Sequence, residues 1–182
     1  MQTMPFGVIM WASGILPVCA IRSLIWTYCV GSRIFEDLQG EKFTSSLVKR
    51  EVVDAGKNKG IPDAIVLDKL FTNGAFKVCE PTDKKFLAML LKTHGLHLAD
   101  AEILALAHEH AGIAVIDDEV ARKTAKVYDV DYVGSCYVLV QAIYEGLISK
   151  AKAKTAINDM VSSGWRCSIE SYAKIMEALE KL

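Results

Sequence analysis

Residues 100–135, DAEILALAHEHAGIAVIDDEVARKTAKVYDVDYVGS, decide the fold. Asp100, Ile103, Leu104 and Ala107 fall at helical spacing, so a helix beginning at Ala99 places Asp100 on the face that must be buried, with Glu102 pointing elsewhere. Gly112 closes this helix, and Ile113 to Ile116 is an uninterrupted apolar run suited to a parallel strand covered on both faces. Asp117 and Asp118 follow at once, with Asp118 placed to cap the next helix, which runs to about Tyr128. Val130 to Val133 is the next short strand. Strand, helix, strand in that order predicts a parallel sheet with helices packed around it.

Working outward, Ser45 and Ser46 can cap a helix through about Ala55, with Val48, Val52 and Ala55 on one face and Glu51 at its border. Lys57 to Gly60 reads as a turn. Asp63 to Asn73 is amphipathic through Ala64, Leu67 and Leu70 and is stopped by Asn73 and Gly74; Phe76 to Val78 is a short strand. Asp83 starts a helix through Leu91 that Gly95 ends. Beyond Ser135 the pattern is helical over 135–145, 149–162 and from Ser168 onward, with Glu170 and Glu177 facing outward. Tyr128, Tyr132 and the three tryptophans read as core or edge packing.

Residues 7–30 are apolar apart from Arg22 and are long enough to cross a bilayer. Pro17 and Arg22 near the middle, and the lack of a preceding basic region or a small-residue cleavage site, argue instead for a buried strand and helix. Val8 to Trp11 is then the strand, 12–14 the turn, and Pro17 the first-turn proline of a helix to about Tyr28.

The chain has 182 residues, 52% of them hydrophobic and 24% charged, enough for one compact core and too few for two comfortable domains. The expectation is a single domain over 1–182, with 149–182 a C-terminal helical elaboration. Lys and Arg number 21 against 22 Asp and Glu, which excludes whole-surface attraction to phosphate backbones or anionic membranes. Five cysteines without a CxxC pair predict a reduced, cytoplasmic chain. His94, His97, His108 and His110 lack cysteine partners at structural-zinc spacing and read as surface residues flanking a helix.

In open parallel α/β sheets, ligands bind outside the carboxyl ends of the strands. Asp117 and Asp118 stand at such an end, Asp100 starts the preceding helix, and Glu51 is a fourth candidate. Clustered carboxylates repel one another unless a cation sits among them, and hard oxygen donors suit Mg²⁺ or Mn²⁺. Such an ion can activate water for attack on a phosphodiester and neutralise charge building on the phosphate.

At these residues the sequence resembles a PIN domain, the fold of toxin ribonucleases and of many nucleic-acid-binding proteins. The match is carried by residues 100–135, by EGLIS at 145–149, by GWRCS at 164–168, and upstream by VKREVVDAGKNKGIPDA at 48–64. The resemblance implies a three-layer α/β/α fold with a central parallel sheet of about four to five strands. It further implies a Mg²⁺- or Mn²⁺-dependent endoribonuclease with Glu51, Asp100, Asp117 and Asp118 as metal-binding and catalytic acids. Ser13 is implied at the substrate, single-stranded RNA as the target, and an antitoxin or a homodimer as the partner. The family opens with a strand ending Asp-x-Ser, and here Trp11-Ala12-Ser13 keeps the serine but puts an indole in place of the first acid. The expected consequence is weakened activity, a non-catalytic binding module, or another acid such as Asp37 in that role. A phospho-acceptor receiver domain also wants an Asp-Asp pair at a strand end, but early in the chain, where this one is late.

Overall fold

A computed structural model describes residues 15–17, 33–58, 60, 62–162, 165 and 167–181. The readings of Val8 to Trp11 as a strand, of the helix to Tyr28, and of Trp11 and Ser13 at the site lie outside the described residues.

Three short strands, β1 (Ile15–Pro17), β2 (Glu41–Thr44) and β3 (Lys77–Val78), pair in parallel in the order β1-β2-β3, with Ile15 opposite Glu41 and Phe43 opposite Lys77. Pro17 lies in β1 and not in the first turn of a helix, which corrects the sequence expectation. Proline has no N–H to donate, and β1 lies at the edge of this set, where that loss is tolerated. A second parallel pair joins β4 (Ala114–Val115) to β5 (Tyr132–Val133), extended by bonds from the Ala114 N–H to Asp131 and the Ile116 N–H to Val133, each 2.8 Å. β1 runs close to β4 without ladder bonds between them. The described strands therefore form a set of three and a set of two. A continuous sheet of four to five strands is not what the described residues form.

Helices make up most of the described chain: α1 (Arg33–Asp37), α2 (Ser46–Lys49), α3 (Ala55–Asn58), α4 (Pro62–Thr72), α5 (Lys84–Leu90), α6 (Leu98–Glu109), α7 (Glu119–Val127), α8 (Ser135–Tyr144), α9 (Lys150–Ser162) and α10 (Ile169–Lys181). Ser45 caps α2 through the Val48 N–H, Asp83 caps α5 through Lys85 and Phe86, and Asp118 caps α7 through Ala121. Each cap supplies an acceptor to an amide that the first helical turn leaves without a partner. The α6 helix ends one residue earlier than Gly112 implies. The left-handed residue there is Ala111 (φ +47°), and the Gly112 N–H returns to Ala107 O at 2.8 Å.

Between α2 and α3 the chain takes a π-helical path over Arg50–Asp54. The wider turn shifts the buried stripe, so Val48, Val52, Val53 and Gly56 are buried and Ala55 is not, against the regular helical spacing expected. Gly56 lies so close to α4 that a Cβ there would stand 2.7 Å from the Ala64 Cβ.

The buried apolar residues form one cluster running from Ile34 to Leu179. At its centre, α6 packs against β1, β2, β4, α5 and α7. Every residue from Ala99 to Ala107 is buried. A helix covered all round needs apolar or small residues on every side, which Ala101, Ile103, Leu104, Ala105, Leu106 and Ala107 supply. Asp100 and Glu102 are carried into the interior with them.

Candidate active site

The site is built where β4 ends. After Ile116 the chain leaves the strand through Asp117, and Asp118 turns it into α7. Asp118 is exposed, and its Oδ1 accepts the Ala121 N–H at 2.9 Å, the cap that its position predicts. Asp117 is half-buried, with 28% of its side chain exposed, and its two oxygens are engaged by three separate parts of the chain. Oδ1 accepts from Arg122 Nη2 at 3.0 Å and from the Ser135 backbone N–H at 3.0 Å. Oδ2 accepts from the Ser135 hydroxyl and from Trp165 Nε1 at 3.1 Å.

A carboxylate offers about four acceptor directions, and in Asp117 all of them are filled by protein donors. As arranged, Asp117 holds the rim of the site together: α7 through Arg122, the start of α8 through Ser135, and the α9–α10 connection through Trp165. Arg122 is fixed a second time, its Nε donating to Ile116 O at 2.9 Å. Gly134 makes room for this, since a Cβ there would lie 2.5 Å from Arg122 Nη2 and 3.3 Å from Asp117 Oδ1.

The other candidate acids lie on other elements. Asp100 is 5% exposed, near the start of α6, and makes its own interactions. Glu51 is exposed on the π-helical segment, a geometry that recurs at functional sites. Asp37, the alternative for the missing acid, is exposed on α1. Glu102 does not point to solvent as expected: it is only 9% exposed, and its Oε2 has no hydrogen-bond partner among the described residues. A buried carboxylate oxygen left in this state is costly, and it marks a place where a cation or a donor would be favoured. The signal was in the sequence, because a segment with no polar face other than its two acids has nowhere to put Glu102 but inside.

Two thiols border the knot. Cys136 follows Ser135, and burial, reinforced by the charge of Asp117 and the neighbouring Cys167, pushes it up to about 12, with Arg122 opposing. Cys167 is also raised, by burial first and Asp117 second. Both stay protonated at neutral pH, and Cys136 packs in the core. Arg122 and Trp165 were not foreseen as site residues. The partner of Trp165 lies 48 residues away in sequence, and no local pattern encodes that contact.

Among the described residues no three His, Cys, Asp or Glu side chains gather so as to hold a metal ion. Mg²⁺, however, is commonly held by only one or two carboxylates together with waters and substrate phosphates. A buried aspartate, an orphaned buried glutamate oxygen and an exposed strand-end aspartate are oxygen donors of that kind, so the donor chemistry fits a hard cation.

A PIN-domain family model matches residues 30–181, and the chain belongs to the PIN-domain family. Membership supports an α/β fold and a nuclease role at the level of the family, whose members are generally dependent on divalent metals. A search of curated proteins found no match. No helix among the described residues is long and apolar enough to cross a membrane.

Proposed function

We propose that the protein is a PIN-type endoribonuclease of low intrinsic activity that cleaves single-stranded RNA with Mg²⁺ or Mn²⁺. The observation that carries this reading is the strand-end rim itself. β4 delivers Asp117 and Asp118 to the carboxyl edge of a parallel strand pair, beside the central helix that holds Asp100 in the interior, in a chain of this family. Asp100 and Asp118, with Glu51, are the acids we assign to the ion. Asp117 serves the same set by fixing the geometry of the rim. When bound, the cation would supply an activated water and offset the charge that builds on the scissile phosphate. The protein's own residues do the remaining work: Asp118 anchors α7 at the edge, Asp117 ties three elements to it, and Arg122 brings a positive group to the same place. In this reading residues 1–182 form one domain, the protein is cytoplasmic, Ser13 lies at the substrate, and an antitoxin or a second copy of the chain is its partner.

The test is cleavage of a single-stranded RNA with and without EDTA, with Mg²⁺ and with Mn²⁺, by the wild type, Asp100→Asn, Asp118→Asn and Trp11→Asp. Weak, Mn²⁺-favoured cleavage lost in both Asn variants is the expected result, and a gain in Trp11→Asp would identify the indole as the reason for the weakness. Equal background cleavage in all four, with RNA binding intact, would leave a non-catalytic RNA-binding module. The saturation of Asp117 by protein donors is the observation that favours that second reading.

A further inference from the structure

We infer that Arg122 and Trp165, held on the two oxygens of Asp117, form a nucleotide-recognition pair: the guanidinium takes a backbone phosphate and the indole stacks on a base of a single-stranded RNA. The inference deepens the proposed function and takes its choice of nucleic acid from it.

Three observations carry it. First, Arg122 is anchored on one side only. Its Nε–H is given to Ile116 O and one Nη2–H to Asp117, while the Nη1 side of the fork has no partner among the described residues, and 37% of the side chain is exposed. A guanidinium fixed in this way offers a planar pair of donors to a phosphate without first having to be ordered. Second, Trp165 is equally fixed. Its backbone N–H bonds to Met160 O at 2.9 Å and its indole N–H to Asp117 Oδ2 at 3.1 Å, yet it is only half-buried against the core. Immobile, partly exposed aromatic rings beside cationic groups are the elements that single-stranded nucleic acid binding uses. Third, one carboxylate joins the two, so the cation and the ring keep a constant separation of about two hydrogen bonds across a carboxyl group. Asp117 pairs with Arg122 through one Nη2–H only, which leaves the outer edge of the guanidinium for a phosphate, and Glu119 is paired with Lys123 at 2.7 Å.

A purely structural knot has the same hydrogen bonds, so the experiment must separate the two roles. The probe is a fluorescein-labelled decauridylate in EDTA, its affinity followed by anisotropy across a range of KCl. In parallel, ¹H–¹⁵N spectra of the wild type are recorded as unlabelled decauridylate is added. Stacking predicts ring-current shifts of the Trp165 indole signal, assigned by its absence in Trp165→Phe.

Trp165→Ala is expected to weaken binding about tenfold. Trp165→Phe, which loses the N–H but keeps a ring, should weaken it less than about threefold. Arg122→Gln is expected to weaken binding about fivefold and to reduce the salt slope by about 0.7, the value for one phosphate contact on a single strand. Arg122→Lys should keep the slope. If Trp165→Ala does not fold, the wild-type spectra and the Arg122 pair still decide.

Decauridylate binding with an unmoved Trp165 signal and an unchanged slope in Arg122→Gln would overturn the inference and leave the ribonuclease reading standing. Binding through both residues, with no cleavage under Mg²⁺ or Mn²⁺, would uphold it while removing the ribonuclease. Absence of decauridylate binding at millimolar concentration would overturn it outright.

Discussion

Replacing Asp117 by asparagine tests the knot most directly, because the two side chains have the same shape and differ only in charge and in what half of the group can accept. The amide has two orientations. With its NH₂ in the place of Oδ1, it faces two donors that cannot reverse, Arg122 Nη2 and the Ser135 backbone N–H. With its NH₂ in the place of Oδ2, it faces the Ser135 hydroxyl, which can rotate to accept, and Trp165 Nε1, which cannot. The second orientation is favoured, and it orphans one donor, the Trp165 indole N–H. An orphaned, partly buried N–H costs about 1–2 kcal/mol. The lost charge on the Arg122 pair adds less than about 1 kcal/mol, since the Arg122 side chain is more than a third exposed and water screens the pair. Asp117→Asn should therefore destabilise the fold by about 2 kcal/mol, and Asp117→Ala, which removes every acceptor, by about 3–4 kcal/mol. Urea unfolding with an unchanged m-value measures both. A ¹⁵N spectrum of Asp117→Asn should show the Trp165 indole signal displaced while the Ser135 amide moves little. A stability within about 0.5 kcal/mol of the wild type, or a Trp165 signal that stays in place, would refute the account of the knot.

Gly134→Ala is expected to change stability by less than about 1 kcal/mol in either direction: at φ −92° and ψ 167° alanine is unstrained and restricts the unfolded chain, while its Cβ displaces Arg122. RNA affinity should nonetheless fall as in Arg122→Gln, measured by the same anisotropy titration. Cys136 should make stability fall as pH rises, because the unfolded thiol ionises from its ordinary value of 9.0 while the folded one stays protonated to about 12. The unfolded state then binds fewer protons, and the slope from this group is about −1.4 kcal/mol per pH unit within that window, seen as the difference between wild type and Cys136→Ala in urea unfolding from pH 8 to 11. Glu102→Met removes a buried oxygen that has no partner among the described residues and should stabilise the fold by about 1–2 kcal/mol in the same assay. A loss of RNA cleavage in that stabilised protein would add Glu102 to the site.

The part of the fold legible in the sequence is the part whose physics is local. The α6–β4–α7 unit announces itself by helical spacing, an apolar run and a capping aspartate. Ala64, Leu67 and Leu70, chosen by spacing, are all fully buried. β2 was not legible because its second residue is Lys42, buried in the fold, and a charge masks the strand pattern. The lysine is tolerated there because its ammonium reaches the carbonyls of Leu38 and Gly40, while burial lowers its pKa against the opposing pull of Glu145 and Asp37. The π-helical segment was hidden because a single widened turn leaves composition untouched and only moves the buried stripe from Ala55 to Val53 and Gly56. Of the site, the acids were readable as residue types at a strand end. What they bond to was not, since Arg122, Ser135 and Trp165 meet Asp117 only through tertiary packing.

That packing changes what the C-terminal helices are. Read along the sequence, 149–182 is an addition to a smaller fold. In three dimensions α9 packs on α8, which begins at Ser135, and α10 packs on α9, with Ala153, Ala156, Ile157, Met160 and Leu179 all fully buried. Trp165 sits in the link between the two helices and places its indole N–H on the acid at the end of β4. The fully buried residues give α9 and α10 their hold on the core, and Trp165, bonded through its backbone N–H to Met160 O of α9 and through its indole N–H to Asp117, carries that hold to the carboxylate. The Asp-Asp pair divides the labour accordingly. Asp118 faces solvent with a capping bond that uses one oxygen, while Asp117 is committed to three elements at once. The exposed member is thus the one free to meet a ligand, and the half-buried member is the one whose loss the whole rim would feel.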